Sequence, residues 1–146
     1  MTLTQESQPL RQLLFDYLGD ECDVIENWYQ PFFNWRDAAK ALGVETLAEI
    51  EKPYGVIKIG EEAEAGTTFG YTTPVEIWPY FTPGNFLEVD KAHVEIGEAL
   101  ANKTIKVNGR TIDVSYMGTA SDYYDDELKA ITRRMDFAVP SVVVPN

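Results

Sequence analysis

Cysteine and histidine are almost missing from this chain. Cys22 is the single cysteine and His93 the single histidine. One cysteine excludes an internal disulfide and fits a reducing compartment. Zinc sites take several Cys or His ligands, and two in all are too few. Ser-His-Asp chemistry would have to use His93, and nothing in the sequence marks the partners that would hold it. A Cys22–His93 thiol pair has no flanking signature either. Gly66, Gly70 and Gly84 do not form a phosphate-cradling loop. No apolar run approaches the ~20 residues of a bilayer span, and Met1–Glu6 lacks the basic start and apolar core of a secretion signal. The expectation is a soluble, cytoplasmic product with no membrane, metal or cofactor.

Cations are also scarce. The chain has 146 residues, with 12 Lys and Arg against 24 Asp and Glu, a net charge of −12. A surface this acidic repels phosphate, so direct duplex binding is not expected. Solubility is the plain reading of such charge. Two sharper ones are a lining past which DNA slides without sticking, and a DNA mimic that occupies a nucleic-acid-binding partner. Apolar residues make up 45% and aromatics 12%, which is a globular composition, and the length suits one domain.

What is present is organised around residues 67–103. Val75 and Ile77 alternate with Glu76 and Trp78, the period of a strand that ends at Phe81. Thr82-Pro83-Gly84 breaks the chain. Asn85 is placed to cap a helix, with Glu88 completing a capping box. Val89, Ala92, His93, Ile96, Ala99 and Leu100 then recur at helical spacing and form one apolar face. A lone histidine on such a face is a packed residue rather than a base.

Around this unit, residues 7–18 read as a helix with Ser7 as cap, Pro9 in its first turn and Gly19 as its end. Residues 20–52 are less regular. Val24-Ile25 suggests a short strand, and Trp28, Tyr29, Phe32, Phe33 and Trp35 form an aromatic cluster that needs burial in the core or against another chain. A short helix over Asp37–Leu42 stops at Gly43, and a helical turn follows at Thr46–Ile50. Pro53–Gly60 is a β-branched strand, and Glu61–Gly66 an acidic exposed loop carrying Glu61, Glu62 and Glu64. Asn108-Gly109 between alternating runs marks a type I′ hairpin over 104–117. Gly118–Asp126 is read as a second loop, with Asp122, Tyr123, Tyr124, Asp125 and Asp126. The last strand spans Leu128–Val139, with Ile131, Met135, Phe137 and Val139 facing inward, Thr132, Arg134 and Asp136 outward, and a bulge at Arg133. Residues 141–146 form a tail whose Val142, Val143 and Val144 suit docking on a neighbour. The sum is a single α+β domain, a mixed and mostly antiparallel sheet with helices mainly on one face. The 122–127 carboxylates lack the spacing and central glycine of a calcium loop, so a solvated or interface loop is the reading, and their tyrosines suit an interface.

The chain resembles the tail terminator, or tail completion, proteins of long-tailed bacteriophages, the lambda-like group. The matching features are the N-terminal helix, the strand Tyr54-Gly-Val-Ile-Lys-Ile, the long strand ending Val75-Glu-Ile-Trp-Pro-Tyr, the helix from Asn85 with Leu87, Asp90 and Ile96-Gly-Glu-Ala-Leu100, the hairpin, and Asp125-Asp126-Glu127 leading into the last strand. The 28–35 aromatic segment departs from that pattern. The resemblance implies a structural virion protein without catalytic residues. It would cap the tail tube as a six-membered ring, end tube growth and provide the surface that joins the head connector, while DNA passes through the lumen without specific binding. Its contacts would be Glu61, Glu62, Glu64, Asp122–Asp126 and Val142–Val144. The nearest rival is a connector stopper or minor tail protein. An acidic DNA-mimic inhibitor is the rival of another class, and a small hydrolase using the 122–127 carboxylates comes third.

Overall fold

The computed structural model describes residues 9–31, 39–60, 63–64 and 71–141. Among them lie the α-helices α1 (Leu10–Glu21) and α2 (Phe86–Leu100), helical residues 39–41 within the expected 37–42 helix, and a 3-10 turn at Leu47–Glu49. The strands are β1 (Trp28–Tyr29), β2 (Tyr54–Ile59), β3 (Ala63–Glu64), β4 (Tyr71–Phe81), β5 (Lys103–Val107), β6 (Arg110–Thr119), β7 (Tyr123–Asp125), β8 (Ala130–Thr132) and β9 (Met135–Ser141). They join one sheet in the order β1-β2-β4-β9-β6-β5, with β3 on β4 and β7 on β8, which itself pairs β4. Only β1 and β2 run parallel. The fold is α+β, as the element pattern predicts.

β4 holds the sheet together. β2 pairs it along Val75–Tyr80 on one edge, and β9 and then β8 pair it from Tyr71 to Phe81 on the other. Val75, Ile77 and Phe81 face the helices. They form the main core with Leu13, Leu14 and Leu18 of α1, Val89, Ala92, Ile96 and Leu100 of α2, and Met135, Phe137 and Val139 of β9. A fully buried aliphatic side chain of this kind stabilises by roughly 1.5–3 kcal/mol. The opposite side chains of β4, Trp78 and Tyr80, belong to a second core. There Tyr54, Val56, Leu128 and Ala130 pack under Ala39, Leu47 and Ile50. The sheet is therefore covered on both faces, by helices on one and by residues of the 39–50 segment on the other.

Several local expectations change. α1 continues through Gly19 to Glu21, because Gly19 sits on the open side and costs only helix propensity there. Ser7 lies outside the described residues, and Pro9 occupies the N-cap position. Val24-Ile25 is not a strand; the short strand is Trp28–Tyr29, parallel to β2. Trp28 packs at the margin of the main core and Tyr29 against the second, whereas Phe32, Phe33 and Trp35 lie outside the described residues. Asn85 precedes α2 but makes no side-chain cap bond, and Glu88 binds Lys91 Nζ at 2.9 Å instead of reaching back. Thr132 is not an outward residue. It is fully buried, because the face thought open to solvent carries the second core.

The Asn-Gly turn forms as the sequence predicts, with φ of 51° at Asn108 and 78° at Gly109. After it the chain departs from a loop-then-strand reading. β6 and β7 run in one direction, and β8 and β9 return antiparallel to them, so residues 110–141 make one long hairpin interrupted near Ala120–Asp122 and Arg133–Arg134. Residues 123–125 are therefore strand, not loop, and the single last strand is two.

Gly55 pairs with Trp28 across β1–β2, and a Cβ built on it would collide with the Trp28 indole. Gly55→Ala is expected to destabilise the fold by about 1–3 kcal/mol in urea unfolding. An unchanged midpoint would show that the indole does not rest on this glycine.

Candidate functional site

The polar residues that the sequence groups at 122–126 sit at the interruption and tip of the long hairpin. Each is held differently. Asp122 receives Arg133 Nη2 at 2.6 Å and Nε at 2.7 Å. The same guanidinium reaches Asp90 of α2 through Nη1 at 2.7 Å. Arg133 thus ties helix, turn and strand junction together. Planar, multi-donor guanidinium suits this geometry better than a lysine would. His93, one turn along α2 from Asp90, donates its Nε2–H to the Arg133 carbonyl, which fixes the tautomer because a carbonyl only accepts. Its environment is structural: a half-buried ring, one backbone bond, and Arg133, Asp90 and Asp122 around it.

At the tip, Asp125 accepts the Leu128 N–H at 2.9 Å and closes the turn, and Lys129 adopts φ 50°. Asp126 pairs with Lys129 at 2.8 Å in solvent. Tyr123 and Tyr124 flank these acids on opposite faces of β7 and are 55% and 46% exposed. Two exposed residues on the neighbouring β6, Tyr116 and Met117, extend the surface; the β6–β9 register shifts between Tyr116 and Gly118, so Met117 is the bulged residue. The outer side of α2 adds Leu87 and Val94, 75% and 59% exposed and one heptad apart.

On the second-core face an aromatic row leads from the hairpin into the domain. Tyr29 and Tyr54 meet edge to face at 5.6 Å, Tyr54 and Tyr80 stack at 5.2 Å, and Tyr80 and Trp78 at 6.3 Å. The Arg134 guanidinium lies 5.6 Å from the Trp78 ring centre and 2.9 Å from Asp136. Burial pushes the Tyr54 and Tyr80 hydroxyls up, and nearby Asp125 adds to this, so both stay protonated. Thr132 lies in the same row opposite Tyr80 and Tyr123, and its hydroxyl has no hydrogen-bond partner among the described residues. Burial, then Glu95, Glu21 and Asp23, push the Cys22 thiol up to about 12, so it is not a thiolate nucleophile.

Asp122, Tyr123, Tyr124, Asp125 and Asp126 are thus brought together. Glu61, Glu62, Val142, Val143 and Val144 lie outside the described residues, and Glu64 is in β3, a strand rather than a loop. β3 pairs the Tyr71 end of β4 and β8 the Phe81 end, so the two acidic stretches attach at opposite ends of a strand about 30 Å long. Tyr116, Met117, Leu87 and Val94 were missed. Leu87 and Val94 carried a signal, being apolar at i and i+7 on the polar side of α2; Met117 carried none, because its exposure follows from the bulge. Among the described residues no three His, Cys, Asp or Glu side chains are grouped as a metal site.

No family model matches this chain, and no curated protein matches it. Among solved structures 13 chains match. One of them covers 95% of this chain and 100% of its own length, at 12% identity and a TM-score of 0.49, and its name states no function.

Arg133→Gln is expected to lower stability by about 1 kcal/mol, an effect that shrinks in high salt because Asp90 and Asp122 are half exposed. Equal losses in low and high salt would show that packing, not charge, is what Arg133 provides. His93 gives a second test. Burial holds its pKa below the ordinary 6.5, with the Arg133 carbonyl bond working in the other direction. The folded state then binds this proton less readily than the unfolded chain. The contribution is complete above 6.5 and is lost as pH falls through the lower folded value. His93→Gln should therefore flatten the fall in unfolding free energy as pH drops from 6.5 through the lower folded value; identical pH profiles for the two chains would reject the assignment.

Proposed function

We propose that this protein is a structural component of a long-tailed phage virion, located at the head-proximal end of the tail. It caps the tail tube as a closed ring of its own copies, ends tube polymerisation and presents the surface that joins the head connector. The observation that carries the reading is the order and texture of residues 53–140. The strand Tyr54–Ile59, the long strand through Val75–Tyr80, the helix Phe86–Leu100, the Asn-Gly hairpin and the closing strands Ala130–Thr132 and Met135–Ser141 follow one another in an α+β fold, and this order is what the resemblance draws on.

Two physical features support it. Copies carrying −12 each would gather a strongly acidic ring, past which DNA moves without counterion-releasing contacts. A ring between tube and connector also needs two different contact ends. The acidic stretches around Glu64 and Asp122–Asp126 join opposite ends of β4. The contacts assigned to this role are Glu61, Glu62, Glu64, Asp122, Tyr123, Tyr124, Asp125, Asp126 and Val142–Val144. The same charge favours one reading of another class, a DNA mimic bound to a basic partner, whose affinity would fall steeply with salt.

Electron microscopy of particles assembled without this protein tests the proposal. Overlong or irregular tubes unattached to heads are expected. Tails of normal length beside DNA-leaking heads would assign the protein to the connector stopper instead. Normal infectious particles would overturn the virion role and bring the DNA-mimic reading forward.

A further inference from the structure

The two outer strands on one side of the sheet are built differently. β5 pairs β6 only as far as Lys103↔Val114. β6 runs on to Thr119, and β7 continues in the same direction. Among the described residues no strand pairs the outer edge from Ser115 to Asp125, where the Tyr116 N–H is taken by Asn102 Oδ1 at 3.0 Å. Open edges are templates for another strand, and proteins guard them with lysine or proline. β5 carries such lysines, exposed Lys103 and Lys106, which discourage a like-charged strand and suit an acidic one. Ser115–Asp125 contains no Lys, Arg or Pro. Instead it holds four of the seven large exposed hydrophobics of the described residues, Tyr116, Met117, Tyr123 and Tyr124. Tyrosine and methionine are residue types enriched in protein contacts.

Charge selects the occupant. The edge ends in Asp122, Asp125, Asp126 and Glu127, and the cations nearest to them, Lys129 and Arg133, are already paired. Lys103 and Lys106 form no ion pair among the described residues, and they lie on an open edge strand of five residues. We infer that Ser115–Asp125 is a strand-pairing surface for a second copy of this chain, and that the strand it receives is β5, with Lys103 and Lys106 brought beside the hairpin-tip acids. Main-chain bonds along the edge supply affinity, and the tyrosines, Met117 and the charges supply selectivity. The contact is one that the capping reading requires, so the inference rests on that reading, but the two fail separately.

Sedimentation velocity of the full chain over a wide concentration range reads both. Self-association that weakens with salt is expected. The double variant Met117→Lys, Tyr123→Lys should weaken it by about tenfold or more, as should Lys103→Glu, Lys106→Glu. Mixing the latter with Asp126→Lys, Glu127→Lys should restore association between the two chains. All of these side chains are exposed, and thermal melts matching the parent confirm that the variants fold. A chain monomeric at every concentration overturns the inference. So does association that both variants leave intact, or association lost only when residues 142–146 are removed, which would make the C-terminal segment the occupant. A closed dimer that the edge variants dissolve upholds the edge and counts against the ring.

Discussion

The constraint on which the rest of the structure depends is the two-sidedness of β4. Successive side chains of a strand point to opposite faces. In β4 both faces are apolar: Val75, Ile77 and Phe81 on one, Trp78 and Tyr80 on the other. Both edges are also paired. A strand in this position cannot leave either face wet, so the domain has to supply two covers. The amphipathic α2, assisted by α1, supplies one. The 39–50 segment supplies the other. Placing the second cover there draws Tyr54, Tyr80 and Leu128 inward and buries Thr132.

The second feature is the hairpin from Arg110 to Ser141. Its two strands do not pair continuously. The chain interrupts both strands at the same level, near Ala120–Asp122 and Arg133–Arg134. A break of this kind frees backbone groups that need partners. The Ala120 N–H finds the Arg134 carbonyl at 2.9 Å, and the Arg133 carbonyl receives His93. The Arg133 side chain then fixes the angle of the corner by bridging Asp90 and Asp122. The one histidine of the chain and Arg133 therefore serve the same corner.

This explains which parts were legible in the sequence. The α+β class, the main helix, the alternation of β4 and the Asn-Gly turn each rest on local chemistry, and each formed as read. Gly19 misled because a glycine ends a helix only where the next turn has nothing to gain; here Leu18 and Cys22 are buried on either side of it. Thr132 misled because binary patterning assigns a polar residue to solvent, while a sheet covered twice has no solvent face at that point. Residues 118–126 read as loop because Gly, Ser and Asp dominate them, and only long-range pairing, of Gly118 and Thr119 with β9 and of Tyr123–Asp125 with β8, makes parts of them strand. Of the site, the Asp122–Asp126 cluster was legible as composition. The way Arg133 divides it, holding Asp122 and leaving Tyr123 and Tyr124 exposed, depends on a contact 11 residues along the chain.

The same analysis separates stability from function in the acidic residues. Asp122 and Asp125 are tied to the fold, one by a guanidinium and the other by the Leu128 N–H. Asp126 and Glu127 are exposed at the tip, where a solvent-screened pair such as Asp126–Lys129 contributes little to stability. A chain selected only for solubility would have no reason to place tyrosines and a bulged methionine beside such charges on an unguarded edge. The neighbouring β5 shows that the fold tolerates lysines at an edge position on this side. The absence of cations from Ser115 to Asp125 is then a property of that edge, and its contrast with the lysine-bearing β5 makes the two edges complementary in charge rather than alike.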